Sequence, residues 1–145
     1  MTIPDLNLIL YAHDARSPFH KESLAWWEGL LNGEELVGIP WVVALGFLRM
    51  TTSPRVFMEP LSVSEASHYV SEWFECPIVR TLQPGKQHAK LLASLLKQVG
   101  VGGKLVTDAH ICALAIEYRA VVHTNDRDFD RFSGVRLHHP LDSRP

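Results

Sequence analysis

The sequence predicts an α/β fold in which a parallel sheet of four to five strands is covered by helices on both faces. Short apolar runs alternate with longer amphipathic runs, which is the order expected of strands joined by crossover helices. One late helix pattern is apolar on nearly every face, which is typical of a central helix. The chain has 145 residues, of which 46% are hydrophobic and 21% charged, so we assign residues 1–145 to one domain.

The first part of the chain alternates strand and helix patterns. The predicted elements are the strand Thr2–Asp5, a helical turn opened by Asn7, the helix His20–Leu31, the strand Leu36–Ile39 and the helix Trp41–Met50. Asn32-Gly33 ends the helix before it, because these residues favour a helix C-terminus. Pro40 is expected at the start of the helix Trp41–Met50, because a backbone N–H at that position would have no hydrogen-bond partner within the helix.

The second part of the chain repeats this alternation. The predicted elements are a helix from Ser62 to about Glu75, the strand Ile78–Leu82, the helix Gln87–Val99, a helix from Asp108 to about Tyr118 and the strands Ala120–His123 and Val135–His138. Ser62 and Glu65 have the spacing of a capping box. Thr107 is expected to cap the helix that begins at Asp108.

Composition limits the function classes. The net charge is −2, which argues against a protein that binds nucleic acid by bulk charge alone. The first residues lack the pattern of a signal peptide, and no run approaches the length of a membrane span, so we expect a cytoplasmic protein. Cys76 and Cys112 lie in apolar stretches and are expected to be unpaired thiols.

Aspartates lie where the predicted strands end and where the central helix begins. Asp5 ends the first strand, Asp126 and Asp128 follow the strand Ala120–His123, and Asp108 opens the central helix. Because sites in parallel sheets form beyond the carboxyl ends of the strands, we expect these carboxylates to converge. Taken singly, each has a structural explanation as a helix cap, a dipole partner or a turn former.

A convergent group of carboxylates has a direct chemical use. Mg²⁺ prefers hard oxygen ligands, and one or two such ions support in-line phosphoryl displacement. The helix dipole is expected to keep Asp108 ionised. The histidines and cysteines lack the spacing of a zinc site.

Four segments of the chain resemble the PIN-domain proteins, specifically the VapC toxins of bacterial toxin–antitoxin pairs. They are Asp5-Leu6-Asn7-Leu8-Ile9-Leu10-Tyr11-Ala12, Ile39 to Arg49 followed by Thr51 and Pro54-Arg55, Thr107-Asp108-Ala109-His110-Ile111-Cys112-Ala113-Leu114-Ala115, and Thr124-Asn125-Asp126-Arg127-Asp128-Phe129. Each pattern is weak alone, but the four keep the family's order and cover essentially the whole chain.

This resemblance implies a three-layer α/β/α PIN-like fold and an endoribonuclease toxin that depends on Mg²⁺, with Mn²⁺ as the alternative ion. It implies that Asp5, Asp108 and Asp126 are the catalytic and metal-binding acids, with Asp128 as a fourth ligand. It also implies a VapB-type antitoxin that inserts a segment near the acidic site, an RNA substrate and a homodimer.

The chain departs from the family at Gly46, where many members carry a glutamate. Glycine cannot bind a metal, so the alternative function is a PIN-fold module that binds RNA or the antitoxin with little catalysis. Glu117 lies two to three helical turns from Asp108 and is not expected to replace the missing acid. A phosphatase or a DNA nuclease with the same metal chemistry is the third possibility.

Several residues are candidates for supporting roles. Asn7 could orient Asp5 or a metal-bound water, and Thr124 could donate a hydrogen bond to Asp108 or Asp126. Arg49, Arg55 and Lys104 are candidate RNA contacts through phosphates. His110 points to another face of the helix than Asp108, so it is expected to be structural. The four tryptophans fall in predicted helices, where packing is the expected role.

Overall fold

The structure of the chain is a computed structural model, and it describes residues 1–142. Within this range five parallel strands form one sheet with helices on both faces, which confirms the predicted three-layer α/β/α fold. The strands are β1 (Thr2–Pro4), β2 (Val37–Pro40), β3 (Val79–Leu82), β4 (Val121–His123) and β5 (Arg136–His138). The helices are α1 (Leu6–Ala12), α2 (His20–Leu31), α3 (Trp41–Thr51), α4 (Val63–Glu75), α5 (His88–Val99) and α6 (Leu105–Tyr118), and a 3₁₀ helix covers Arg127–Arg131.

The sheet order is β3-β2-β1-β4-β5, so β1 lies at the centre. β1 and β4 pair in parallel, with Thr2 opposite Val121 and Pro4 opposite His123. The other three pairings are also parallel. The carboxyl ends of β1 and β4 therefore lie side by side, and the segments that follow them start from the same edge of the sheet.

The core lies between the sheet and its two helical layers. Ile3 of β1 and Val122 of β4 are fully buried. α6 is buried along most of its length, as its uniform apolar pattern predicts. On the other layer, Trp73 of α4 makes edge contacts with Trp27 and Phe47, with ring centroids 5.4 Å and 4.5 Å away. These aromatic contacts fix α2, α3 and α4 to one another.

Most predicted elements are found within one residue of their predicted ends. α2 has the predicted bounds, and the capping box at α4 is confirmed, with Ser62 Oγ accepting from the Glu65 amide at 3.1 Å. Pro40 closes β2 and serves as the N-cap of α3, one position before the predicted place in the helix. Its extended backbone and missing N–H suit both positions.

The predicted start of α6 is wrong. The helix begins at Leu105, three residues before Asp108, and Thr107 lies inside it rather than capping it. Leu105 is 2% exposed, so burying its side chain favours an extra turn at the helix start. The backbone of Asp108 therefore belongs to the first turn of α6 and not to the loop that precedes this helix.

The two cysteines are free thiols, as predicted: Cys112 is buried and Cys76 is half-buried. In residues 1–142 no helix has both the length and the apolar character needed to cross a bilayer. The cytoplasmic location stays a prediction.

Candidate active site

Asp5 lies at the carboxyl end of the central strand, at the junction with α1. Its side chain is 5% exposed, and its amide donates to the His123 carbonyl at 2.8 Å, which joins the ends of β1 and β4. Asp5 occupies the N-cap position of α1, where the backbone amides of Leu6 and Asn7 act to lower the pKa of its carboxylate. Burial raises the pKa of Asp5 to about 6, and the negative charge of Asp126 adds to this rise. Because such amides lower the pKa of a carboxylate, the raised pKa of Asp5 comes from its burial and its charged neighbour.

Thr124 joins Asp5 to the segment that follows β4. Its buried hydroxyl donates to Asp5 Oδ2 at 2.8 Å and accepts from the Asp126 amide at 2.9 Å. Asp126 Oδ1 in turn accepts from the Asp128 amide at 2.9 Å. One hydroxyl thus sets the distance between two acidic positions that are far apart in sequence. The expected acceptor was Asp108 or Asp126, whereas the hydroxyl donates to Asp5 and only accepts from the Asp126 amide.

Asp108 faces the same edge of the sheet from the first turn of α6. Its half-buried position raises its pKa to about 7, and the charges of Asp5, Asp126 and Asp128 contribute to the rise, while Lys104 opposes it. The expectation that the helix dipole keeps Asp108 ionised is therefore wrong. The dipole acts on it, but burial and three neighbouring carboxylates outweigh that effect.

Lys104 forms an ion pair with one member of this group. Its Nζ lies 3.6 Å from Asp128 Oδ2, and its side chain is 86% exposed. Because the lysine extends into solvent, it leaves most of the negative charge of the four aspartates uncompensated. We call Asp5, Asp108, Asp126 and Asp128 the acidic site.

The carboxylates of the acidic site are close enough to interact electrostatically, but their oxygens do not form a preorganised metal-binding site. Among residues 1–142, no three histidine, cysteine, aspartate or glutamate side chains meet in an arrangement that could already hold a metal ion. The donor set nevertheless fits a hard divalent cation, because it offers carboxylate oxygens alone. The pKa values of Asp5 and Asp108 are raised mainly by burial and partly by repulsion from neighbouring aspartates, and a bound cation would offset both effects.

The other candidate residues are placed differently. Asn7 lies on α1, two residues after Asp5, and its side-chain amide makes no hydrogen bond within residues 1–142. Arg49 and Thr107 line a cavity of about 280 Å³ between α1, α3 and the start of α6. Arg55 lies in the turn after α3, and within residues 1–142 it forms no ion pair with the acidic site.

Gly46 lies on α3 in the wall of the same cavity. A Cβ atom added there would come within 2.5 Å of Leu6 Cδ2, so the Leu6 side chain occupies the space above this position. A larger residue requires that side chain to move. The expectation that Gly46 contributes no ligand follows from its lack of a side chain and stands.

His110 belongs to a second polar cluster, which sequence analysis missed. Its Nδ1 lies 2.8 Å from His88 Nε2, and His88 Nδ1 hydrogen-bonds to Glu117 Oε1. Glu117 also accepts from the Gly85 amide at 2.7 Å. These residues link α5 to the end of α6, with no motif or regular spacing that could have revealed the contact. Both carboxylate oxygens of Glu117 accept hydrogen bonds in this cluster, so Glu117 does not take the place of the missing acid.

Comparison with known proteins settles the family. The PIN domain profile matches residues 2–135 of this chain. The chain belongs to the PIN-domain family. This PIN domain is 43% identical over 140 residues to the protein named Ribonuclease VapC37 of Mycobacterium tuberculosis, covering 97% of each chain. It is 40% identical over 141 residues to Ribonuclease VapC33 of the same species, covering 97% of this chain and 99% of the relative. The resemblance to VapC proteins is thereby confirmed.

Solved structures with low sequence identity share the fold of this PIN domain. The VapBC-1 structure from nontypeable Haemophilus influenzae superposes with a TM-score of 0.69 at 19% identity, covering 97% of this chain and 98% of the other. A structure of FitAB bound to an IR36 DNA fragment gives a TM-score of 0.68 at 16% identity, covering 100% and 99%. At such identities the likeness concerns the fold, and it agrees with the three layers described above.

Proposed function

We propose that this PIN domain is a metal-dependent endoribonuclease, a VapC-type toxin that cleaves RNA at the acidic site. The observation that carries the proposal is the convergence of Asp5, Asp108 and Asp126 from three separate segments. Burial and the neighbouring carboxylates raise the pKa values of Asp5 and Asp108, as is common at functional sites. Relatives that are named ribonucleases and match over nearly the full chain support it. They give no support to the alternative of a weakly active binding module.

The residues of the site divide the work in the proposed reaction. Asp5, Asp108 and Asp126 hold Mg²⁺ or Mn²⁺, with Asp128 beside them. When bound, such an ion supplies Lewis-acid catalysis of phosphodiester hydrolysis. Thr124 holds Asp5 at a fixed distance from the Asp126 backbone, so that the ligands need little rearrangement.

Cations at the rim are proposed to bind the substrate. Lys104 lies beside Asp128, and Arg49 lines a cavity together with Leu6 and Thr107, the chain neighbours of Asp5 and Asp108. Both cations can therefore contact RNA phosphates. Asn7 can orient Asp5 or a water molecule of the site. Arg55 lies in the turn after α3 and is proposed to contact RNA phosphates outside the acidic site.

The antitoxin and the dimer complete the proposal. Solved VapBC complexes share the fold of this PIN domain, which supports a VapB-type antitoxin as its partner. We propose that the antitoxin inserts a segment near the acidic site. Trp41 is 45% exposed and Leu45 is 58% exposed on α3, and an apolar surface of this kind supports a homodimer. Light scattering of wild type and Leu45→Glu tests the dimer, and a monomeric wild type would contradict it.

The central experiment compares Asp5→Asn with wild type on RNA in the presence of Mg²⁺. Asp14→Asn is a matched control, because Asp14 lies in a turn after α1, outside the acidic site. We expect cleavage by wild type and by the control, loss of cleavage with EDTA, and loss of cleavage in Asp5→Asn. Equal cleavage by wild type and Asp5→Asn would contradict the proposal.

A further inference from the structure

The charges of the chain are distributed very unevenly. Residues 76–107 contain five lysine or arginine residues and no aspartate or glutamate. All 16 acidic residues and the other nine basic residues lie outside this segment. A chain with a net charge of −2 therefore contains a segment whose charge is entirely positive. The segment covers β3, α5 and the loop that leads into α6.

Three of these five cations lie on α5 or in the turn just before it. Lys90 and Lys97 are seven residues apart, so they project from the same side of the helix, about 10 Å from one another along its axis. Lys86 lies in the turn just before the helix, four residues before Lys90. All three lysines are exposed, as are the small residues Ala93 and Ser94 between them.

These lysines have no acidic partners in the described part of the chain. Within residues 1–142 no carboxylate lies at ion-pair distance from Lys86, Lys90 or Lys97. Arg16 and Arg127, by contrast, are both paired with carboxylates. A row of unpaired cations with small residues between them is suited to an extended polyanion.

The row leads to the acidic site. The C-terminal part of α5 lies beside the segment that follows the 3₁₀ helix, because Gln98 Oε1 accepts from the amide and the hydroxyl of Ser133, each at 3.1 Å. After α5 the chain passes through Gly100 and Gly103, which have positive φ angles of 70° and 63°. It then reaches Lys104, beside Asp128.

We propose that Lys86, Lys90 and Lys97 form a track that binds the phosphodiester backbone of the RNA substrate and directs it past residues 100–103 to Lys104 and the acidic site. This inference rests on the proposed ribonuclease function. The track gives a protein of net negative charge a local positive surface for RNA. Only the part of the RNA that enters the acidic site then has to approach the carboxylates. It reads no base sequence, because phosphates are common to all RNAs.

The test is RNA binding by the triple variant Lys86→Gln, Lys90→Gln, Lys97→Gln. Binding of a labelled single-stranded RNA is followed by fluorescence anisotropy in EDTA, where no cleavage occurs, at several KCl concentrations. Loss of three phosphate contacts should lower the slope of log K against log salt by about 2, and weaken binding on the order of tenfold or more at low salt. The triple variant to arginine should bind as wild type does.

The matched control removes three charges elsewhere. Lys21 lies on α2, and Arg119 and Arg136 lie near the amino end of β4 and β5, away from the acidic site. The triple variant Lys21→Gln, Arg119→Gln, Arg136→Gln has the same net charge as the α5 variant and should keep the wild-type slope. Thermal unfolding of both variants establishes that they are folded.

The outcomes separate the track from the proposed function. If wild type cleaves RNA but the α5 variant binds it as wild type does, the track is wrong and the ribonuclease proposal stands. If both triple variants bind RNA equally weakly, the effect comes from net charge alone, and the proposed track is wrong. A wild type that neither binds nor cleaves RNA would overturn both proposals.

Discussion

The two ends of α6 each hold a carboxylate, and the two have opposite surroundings. Near the end of the helix, Glu117 accepts hydrogen bonds from His88 and from the Gly85 amide, and its side chain is 13% exposed. In the first turn, Asp108 is half-buried among Asp5, Asp126 and Asp128, with Lys104 as the opposing charge.

This difference separates a structural acid from a functional one. A carboxylate with donors on both oxygens stabilises the fold and has no capacity left for a ligand. A carboxylate crowded by like charges destabilises the fold when it is ionised, so its presence needs another explanation, such as a cation that binds there. The comparison predicts that substitutions at the two ends have opposite effects on activity and stability.

The largest expected effect is the loss of activity in Asp108→Asn. Removing a ligand from the acidic site should lower the RNA cleavage rate on the order of a hundredfold or more. Glu117→Gln should cleave at the wild-type rate per folded molecule, because Glu117 does not belong to the site. Rates are measured with excess Mg²⁺ on the same RNA, and equal loss in both variants would contradict the distinction.

Glu117→Gln should instead lower stability. It removes the charge that faces His88 and weakens the bond from the Gly85 amide, so the free energy of unfolding should fall by about 2 kcal/mol. Urea denaturation measures this, with Glu72→Gln as a control. Glu72 pairs with His68 at 3.2 Å on the surface of α4, where 56% of its side chain is exposed, and little change is expected there. A Glu117→Gln protein as stable as wild type would show that the cluster is not structural.

The pH dependence of stability should differ between wild type and Asp108→Asn. The folded-state pKa of Asp108 is raised to about 7, well above that of an unfolded chain. Its stabilising contribution is therefore complete at low pH and is lost as the pH rises toward and through 7. In EDTA, wild type should lose stability relative to Asp108→Asn between about pH 4 and pH 7.

This difference is measured as the gap between the two melting temperatures at each pH. Because burial lowers the pKa values of His13 and His123 in both proteins, their opposite contributions cancel in the comparison. Mg²⁺ should stabilise wild type more at pH 8 than at pH 5, since the ligands must be ionised to bind it. A constant gap across this range would contradict the assigned protonation of Asp108.

The smallest expected effect is that of Gly46→Ala. The added Cβ would lie 2.5 Å from Leu6 Cδ2, but this atom is the end of a flexible side chain that can rotate away. Alanine also favours the helix by about 1 kcal/mol relative to glycine, so the two effects should nearly cancel. Chemical denaturation should show a change below about 1 kcal/mol. A larger loss would mean that Leu6 is fixed in place.

Local patterns predicted most of the elements, because their causes are local. The apolar spacing in α2 and the Ser62–Glu65 capping box are set by residues within a few positions of one another. The predicted start of α6 is wrong because the helix begins at Leu105, before the expected cap Thr107. The burial of Leu105 that favours this earlier start is a tertiary effect. The His88–Glu117 contact was missed for a related reason, since it joins two helices without a motif.

The amino-acid sequence by itself determined the alternation of strands and helices, the identity of the four aspartates and the membership of the PIN-domain family. Only the tertiary structure decided which carboxylates are satisfied and which are crowded. The parallel pairing of β1 with β4 places Asp5 beside Thr124. The packing of α6 brings Asp108 close to them and places Glu117 in hydrogen-bond contact with His88. A pKa depends on burial and on neighbouring charges, and both are properties of the folded chain.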